Sequence, residues 1–118
     1  MEINNELKKL IESNVISLST LNKDNSPHII YVACVKVISA NKLLITDNYM
    51  VETKENILKN NKVSVALLAN GGGYELNGIA EYFFDGRYIN QIKNLVENDN
   101  LPCKGAIVIN VKKIKKMA

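Results

Sequence analysis

Few residues in this chain have the type and spacing to do chemistry. His28 is the only histidine, the carboxylates are scattered, and no G-x-S-x-G elbow, H-E-x-x-H helix or phosphate-loop motif occurs. Cys34 and Cys103 lie far apart and form no C-x-x-C pair, so no zinc-type ligand set can be assembled around a single histidine. Gly71-Gly72-Gly73 leads into a strand pattern and reads as a loop. Chemistry performed by this chain would therefore come from a cofactor, with the protein supplying orientation and electrostatics. One local feature stands out, the run NYMVETKENILKNN from Asn48 to Asn61. Here Thr53 reads as the cap of a helix with Lys54 in its first turn. Free backbone N–H groups, a hydroxyl, the positive end of the helix dipole and an ammonium would converge, as a phosphomonoester requires. The plain alternative is an ordinary capped helix with a solvent lysine, and Glu52 and Glu55 weaken the local positive field.

The elements that must position this feature follow from periodicity. Ile3, Leu7, Leu10 and Ile11 recur at helical spacing, with Asn4 or Asn5 as cap and Asn14 as stop. Val15–Leu21 alternates, with Ile16, Leu18 and Thr20 on one face. A polar turn at residues 22–26 precedes a long Ile/Val-rich strand expected over Pro27–Ile38, with Pro27 confined to its start. Further strands are expected at Leu43–Thr46, Val63–Ala69, Tyr74–Phe84 and Lys104–Val111. Gly78 interrupts the longest of them, as at a bulge or barrel corner. Helices are expected at Thr53–Asn60 and at Arg87–Asn98, the latter with Tyr88, Ile89, Ile92, Leu95 and Val96 on one face. Six or so strands joined by short turns, with helices too few for alternating βαβ units, predict a mostly β fold with short helices. The expected form is a small antiparallel barrel closed to remove its edges.

At 118 residues the chain fits one domain, 1–118. The net charge of +3 is local, because Lys112, Lys113, Lys115 and Lys116 crowd the end, which reads as a solvated tail. Such a tail could bind nucleic acid, but Arg87 is the only arginine, which argues against dedicated nucleic-acid readout. No run approaches the ~20 apolar residues of a membrane span and the start is charged, so the chain reads as cytoplasmic with no membrane contact. Cys34 reads as a small core residue and His28 as a turn or interface residue. The tyrosines read as half-buried packing.

Order and spacing carry more than any single motif. The strand-and-turn order, Ser26-Pro27-His28 entering the second strand, Thr53 with Asn56 at the helix start, and Gly73-Tyr74 with Gly78 and Ala80 on the following strand together resemble the pyridoxamine 5′-phosphate oxidase-like, FMN-binding split-barrel family. The likeness runs from about Val15 to Val111 and is nearest to the minimal single-domain FMN-binding proteins. It implies a split β-barrel that forms a homodimer with one FMN per subunit at the junction. The flavin phosphate would meet Thr53 and Lys54, and the ring would lie near Tyr31, Val32, Thr46, Asp47 and Asn48. The function implied is that of an FMN-binding redox protein (flavin reductase, oxidase or electron carrier) working with a small-molecule or protein redox partner. The alternative is a split barrel that holds haem or another planar ligand, or that dimerises without a cofactor.

Overall fold

A computed structural model describes residues 2–69 and 71–117. Helix α1, Asn5–Ser13, is capped by Asn4 and buries Leu7 and Ile11. Strands β1 (Ile16–Leu21), β2 (Pro27–Val32), β3 (Lys36–Ser39) and β4 (Lys42–Asp47) precede helix α2, Glu52–Lys59. Strands β5 (Lys62–Ala69) and β6 (Gly72–Phe83) lead to helix α3, Arg87–Lys93, then a 3₁₀ turn at Val96–Asn98, and finally β7 (Gly105–Met117). The fold is mostly β, with seven antiparallel strands in the order β2-β1-β5-β6-β7-β4-β3.

Alternation decides what is buried. Ile16, Leu18 and Thr20 of β1 turn inward, and Val63, Val65 and Leu67 of β5 join them with Leu43 and Ile45 of β4. Each fully buried Leu or Ile contributes roughly 1.5–3 kcal/mol. Leu44 points to the other side of β4, where Ile89 and Ile92 of α3 cover it together with Ala106 and Val108 of β7. The longest ladder, β6 with β7, shifts register at Asn77/Gly78. A Cβ on Gly78 would lie 2.4 Å from the Asn110 carbonyl oxygen, so the bulge requires glycine.

The strand expected over Pro27–Ile38 is divided. It breaks at residues 33–35, where Cys34 adopts a left-handed φ of 56°, a conformation costing about 1–2 kcal/mol for a residue with a Cβ. Val35 at this bend is fully buried, which anchors it. Two strands nearly adjacent in the chain are thereby sent to opposite ends of the sheet, β2 to pair with β1 and β3 with β4. This seam makes the barrel a split one.

Three other expectations change. Helix α2 starts one residue early, at Glu52, with Val51 and not Thr53 at its capping position and no side-chain cap, so Thr53 lies inside its first turn. The third helix stops at Lys93, and Val96 is exposed. The lysine-rich end continues β7, with Lys113 opposite Asn77 and Lys115 opposite Glu75, and a 3.6 Å ion pair joins Lys115 to Glu75.

Candidate functional site

A cleft of about 520 Å3 opens at the seam, beside the free edge of β2. Its walls come from stretches far apart in sequence: β2, the bend at 33–35, the end of β4, the turn 48–51, the start of α2, and residues 97, 98 and 101. That volume is within the ~300–1,000 Å3 of small-molecule sites.

Among the described residues, two polar features of the cleft find no protein partner. Thr46 is only 7% exposed, lines the cleft from β4, and its Oγ1 makes no hydrogen bond. A buried hydroxyl left unpaired costs about 1–3 kcal/mol, which a ligand's polar edge would offset. The second is the start of α2. Val51 supplies no capping side chain, so the N–H groups of the first turn stay open, and Val51, Glu52 and Thr53 all line the cleft. Glu52 is drawn toward His28, whose Nδ1 lies 3.2 Å from the Glu52 carboxylate.

The turn between β4 and α2 is tied from several sides. Asn48 Nδ2 donates to Asn98 Oδ1 at 2.9 Å and to the Pro102 carbonyl at 2.6 Å, drawing residues 97–102 over the cleft. Glu97 is bound to Lys36 of β3, which holds its carboxyl below, and the Lys36 ammonium above, their ordinary values. Cys34 also lines the cleft, and burial, then the nearby Glu97, push its thiol up. It is a neutral thiol there and a poor nucleophile.

Of the residues singled out from sequence, Tyr31, Val32, Thr46, Asn48 and Thr53 line this one cleft. Tyr31 is 79% exposed, Val32 and Thr53 are buried. Asp47 and Lys54 are placed elsewhere. Asp47 is fully buried on the barrel-interior side of β4, bound to Tyr82 Oη and the Met50 N–H, because alternation turns it away from Thr46. The Lys54 ammonium sits 5.4 Å from the Tyr82 ring centroid and 5.0 Å from that of Phe84, a cation–π arrangement. Asn56, matched to the helix-start motif, braces the fold by donating to Thr20 Oγ1 at 3.0 Å and Asn22 Oδ1 at 2.9 Å. Sequence reasoning missed Cys34, Met50, Glu97, Asn98 and Leu101 as cleft residues. Residues 97–101 carry no local motif, so only tertiary packing reveals them.

Comparison with known proteins agrees with this geometry. The profile of a family described as pyridoxamine 5′-phosphate oxidase matches residues 3–118. The chain belongs to that family. It is 32% identical to the uncharacterized protein MJ0282 of Methanocaldococcus jannaschii, over 97% of this chain and 80% of that protein. Among solved structures, HupZ of Group A Streptococcus superposes with a TM-score of 0.88 at 23% identity, covering 98% of this chain and 94% of that one. An FMN-binding protein of Syntrophomonas wolfei subsp. wolfei superposes with a TM-score of 0.78 at 19% identity, covering 94% and 83%. These similarities place the split barrel in the family's fold.

Proposed function

We propose that this family member binds FMN in the seam cleft and serves as a redox protein. The observation that carries the reading is the pairing, within one cleft, of an orphaned buried hydroxyl, Thr46 Oγ1, with the uncapped start of α2. The open N–H groups at Glu52 and Thr53 suit a terminal phosphate. Thr46 and Asn48 border the space for a polar-edged ring, and Tyr31 offers an aromatic face. FMN, when bound, would supply electron or hydride transfer. The chain's own part is to hold and orient it, and Met50, Leu101 and Val32 would exclude water from the ring.

A homodimer belongs to the same reading. Ile29 and Tyr31 of β2 and Leu68 of β5 are 61%, 79% and 84% exposed. Ser17, Ser19 and Ala66 lie opposite or between them on the same outward face. A second copy seated there would cover this apolar surface and give an open cleft its missing wall. Sedimentation at micromolar protein is expected to give twice the subunit mass. A monomer that binds FMN tightly would overturn the shared site.

One observation favours a second reading, a haem or other metal-bearing planar ligand. His28 lines the cleft with Nδ1 against Glu52, and a carboxylate commonly orients a metal-binding imidazole in this way. The deciding experiment is titration of the purified protein with FMN, riboflavin and haemin, followed by visible spectra. The expected result is one FMN per subunit, bound at least about tenfold more tightly than riboflavin, from one or two charge-assisted hydrogen bonds. Thr46→Val should weaken both flavins alike. Equal affinity for FMN and riboflavin would place the phosphate elsewhere, and a Soret band with no flavin binding would favour the second reading.

A further inference from the structure

Beside the cleft, and outside its lining, lies a hydrogen-bonded pair, buried Asp47 and half-buried Tyr82. Asp47 is fully buried, and among the described residues no cation pairs with its carboxylate. Two donors hold it: Tyr82 Oη donates to Oδ2 at 2.5 Å and the Met50 N–H donates to Oδ1 at 2.8 Å. The Asp47 carbonyl accepts from the Lys104 N–H at 2.8 Å, and Lys104 Nζ returns to the Met50 carbonyl at 3.0 Å. A buried carboxylate without a cation persists only where its donors are held in place. The Tyr82 ring is so held, because it crosses Gly105, where a Cβ would stand 2.2 Å from the phenolic oxygen. Lys54, in the first turn of α2, closes over the other part of that ring.

This network meets the cleft through one short turn. Met50 donates its N–H to Asp47 and itself lines the cleft, and Val51 next to it is the capping position of α2. We propose that Tyr82 and Asp47 are positioning residues that hold the 48–51 turn, and through it the open N-terminus of α2, at the ligand. The proposal rests on the reading of that helix start as the phosphate site. On that reading a flavin ring would lie toward Thr46, so the pair would govern the phosphate end and not the ring.

The test is Tyr82→Phe, which keeps the ring over Gly105 and under Lys54 and removes only the O–H. Affinities for FMN and riboflavin are measured well below the melting temperature, together with that temperature. The expected outcome is a loss of FMN affinity of about tenfold with riboflavin changed by less than about threefold, as for loss of a hydrogen bond to a charged group. A purely structural role would lower the melting temperature and leave the FMN-to-riboflavin ratio as in the wild type, and that result overturns the proposal. Should Tyr82→Phe fail to fold, Asp47→Asn decides. It keeps an acceptor for the Met50 N–H, now neutral, so the ratio is expected to fall about threefold, and an unchanged ratio overturns the proposal. A wild-type protein with no preference for FMN overturns the phosphate reading along with this one. A wild-type preference retained by Tyr82→Phe overturns this one alone.

Discussion

Helices α1 and α2 begin in opposite ways. At α1 the Asn4 side chain accepts from the Leu7 N–H at 2.8 Å, and Leu7 and Ile11 are packed into the core. At α2 the capping position is held by Val51, two-thirds exposed, and no side chain answers the first turn. The two starts differ in what faces them: α1 meets the barrel core, whereas α2 opens onto the cleft. A polar cap is a common and inexpensive stabiliser, worth about 1 kcal/mol. Helix α2 lacks one where its start lines the cleft, and α3, which follows Gly86, also starts without one. The start of α1 is thus closed by its own chain, while that of α2 is left open at the cleft.

Four substitutions or conditions probe this contrast. Ile11→Ala should cost about 2–5 kcal/mol of stability, read by denaturant unfolding, with the flavin affinity of the remaining folded protein unchanged. A matching loss of FMN affinity would mean that α1 also shapes the site. Val51→Asn supplies the missing cap. It should add about 1 kcal/mol of stability without ligand and weaken FMN roughly tenfold, because the new side chain competes with the phosphate for the same N–H groups. Gain of stability with no loss of FMN would show that the open helix start has no ligand. Asn4→Ala should lower stability by about 1 kcal/mol and leave both flavins bound as before, a check by thermal melts and titration.

The smallest effect is a pH dependence on the α2 side. Burial, and then the hydrogen bond to Asp47, push the Tyr82 hydroxyl up. The folded protein thus keeps a proton that the unfolded chain loses near the ordinary tyrosine value of about 10. Stability contributed by Tyr82 is therefore full below that value and declines as pH rises above it. Melting temperature followed from pH 8 to 11 should fall more steeply in the wild type than in Tyr82→Phe. Parallel curves would remove the Tyr82–Asp47 bond from the account.

Much of this molecule was legible from local pattern. Alternation in Val15–Leu21 set Ile16, Leu18 and Thr20 on one face, which is the buried one. Asn4 or Asn5 was the expected cap of α1, and it is Asn4. Gly78 marked a bulge or barrel corner, and the register shifts there. Each of these depends on neighbours within a few residues. The order of motifs carried the split-barrel fold, and of the run Asn48–Asn61 singled out for its helix start, Asn48 and Thr53 line the cleft while Lys54 does not. The break at Cys34 was not legible. Ala33, Cys34 and Val35 include no glycine or proline, and the left-handed turn there is sustained by the sheet pairings of β2 and β3 on either side. The partners of Lys54 and Asp47 were likewise not legible, because Tyr82 reaches both from a strand some thirty residues away. Local sterics and side-chain periodicity were enough to set which faces are apolar and where the polar turns fall. Only the tertiary structure decided that β2 and β3 part at a seam, that residues 97–101 close over it, and that Thr46 is left there without a partner. These depend on which distant backbones pair, and that outcome comes from the whole barrel packing at once.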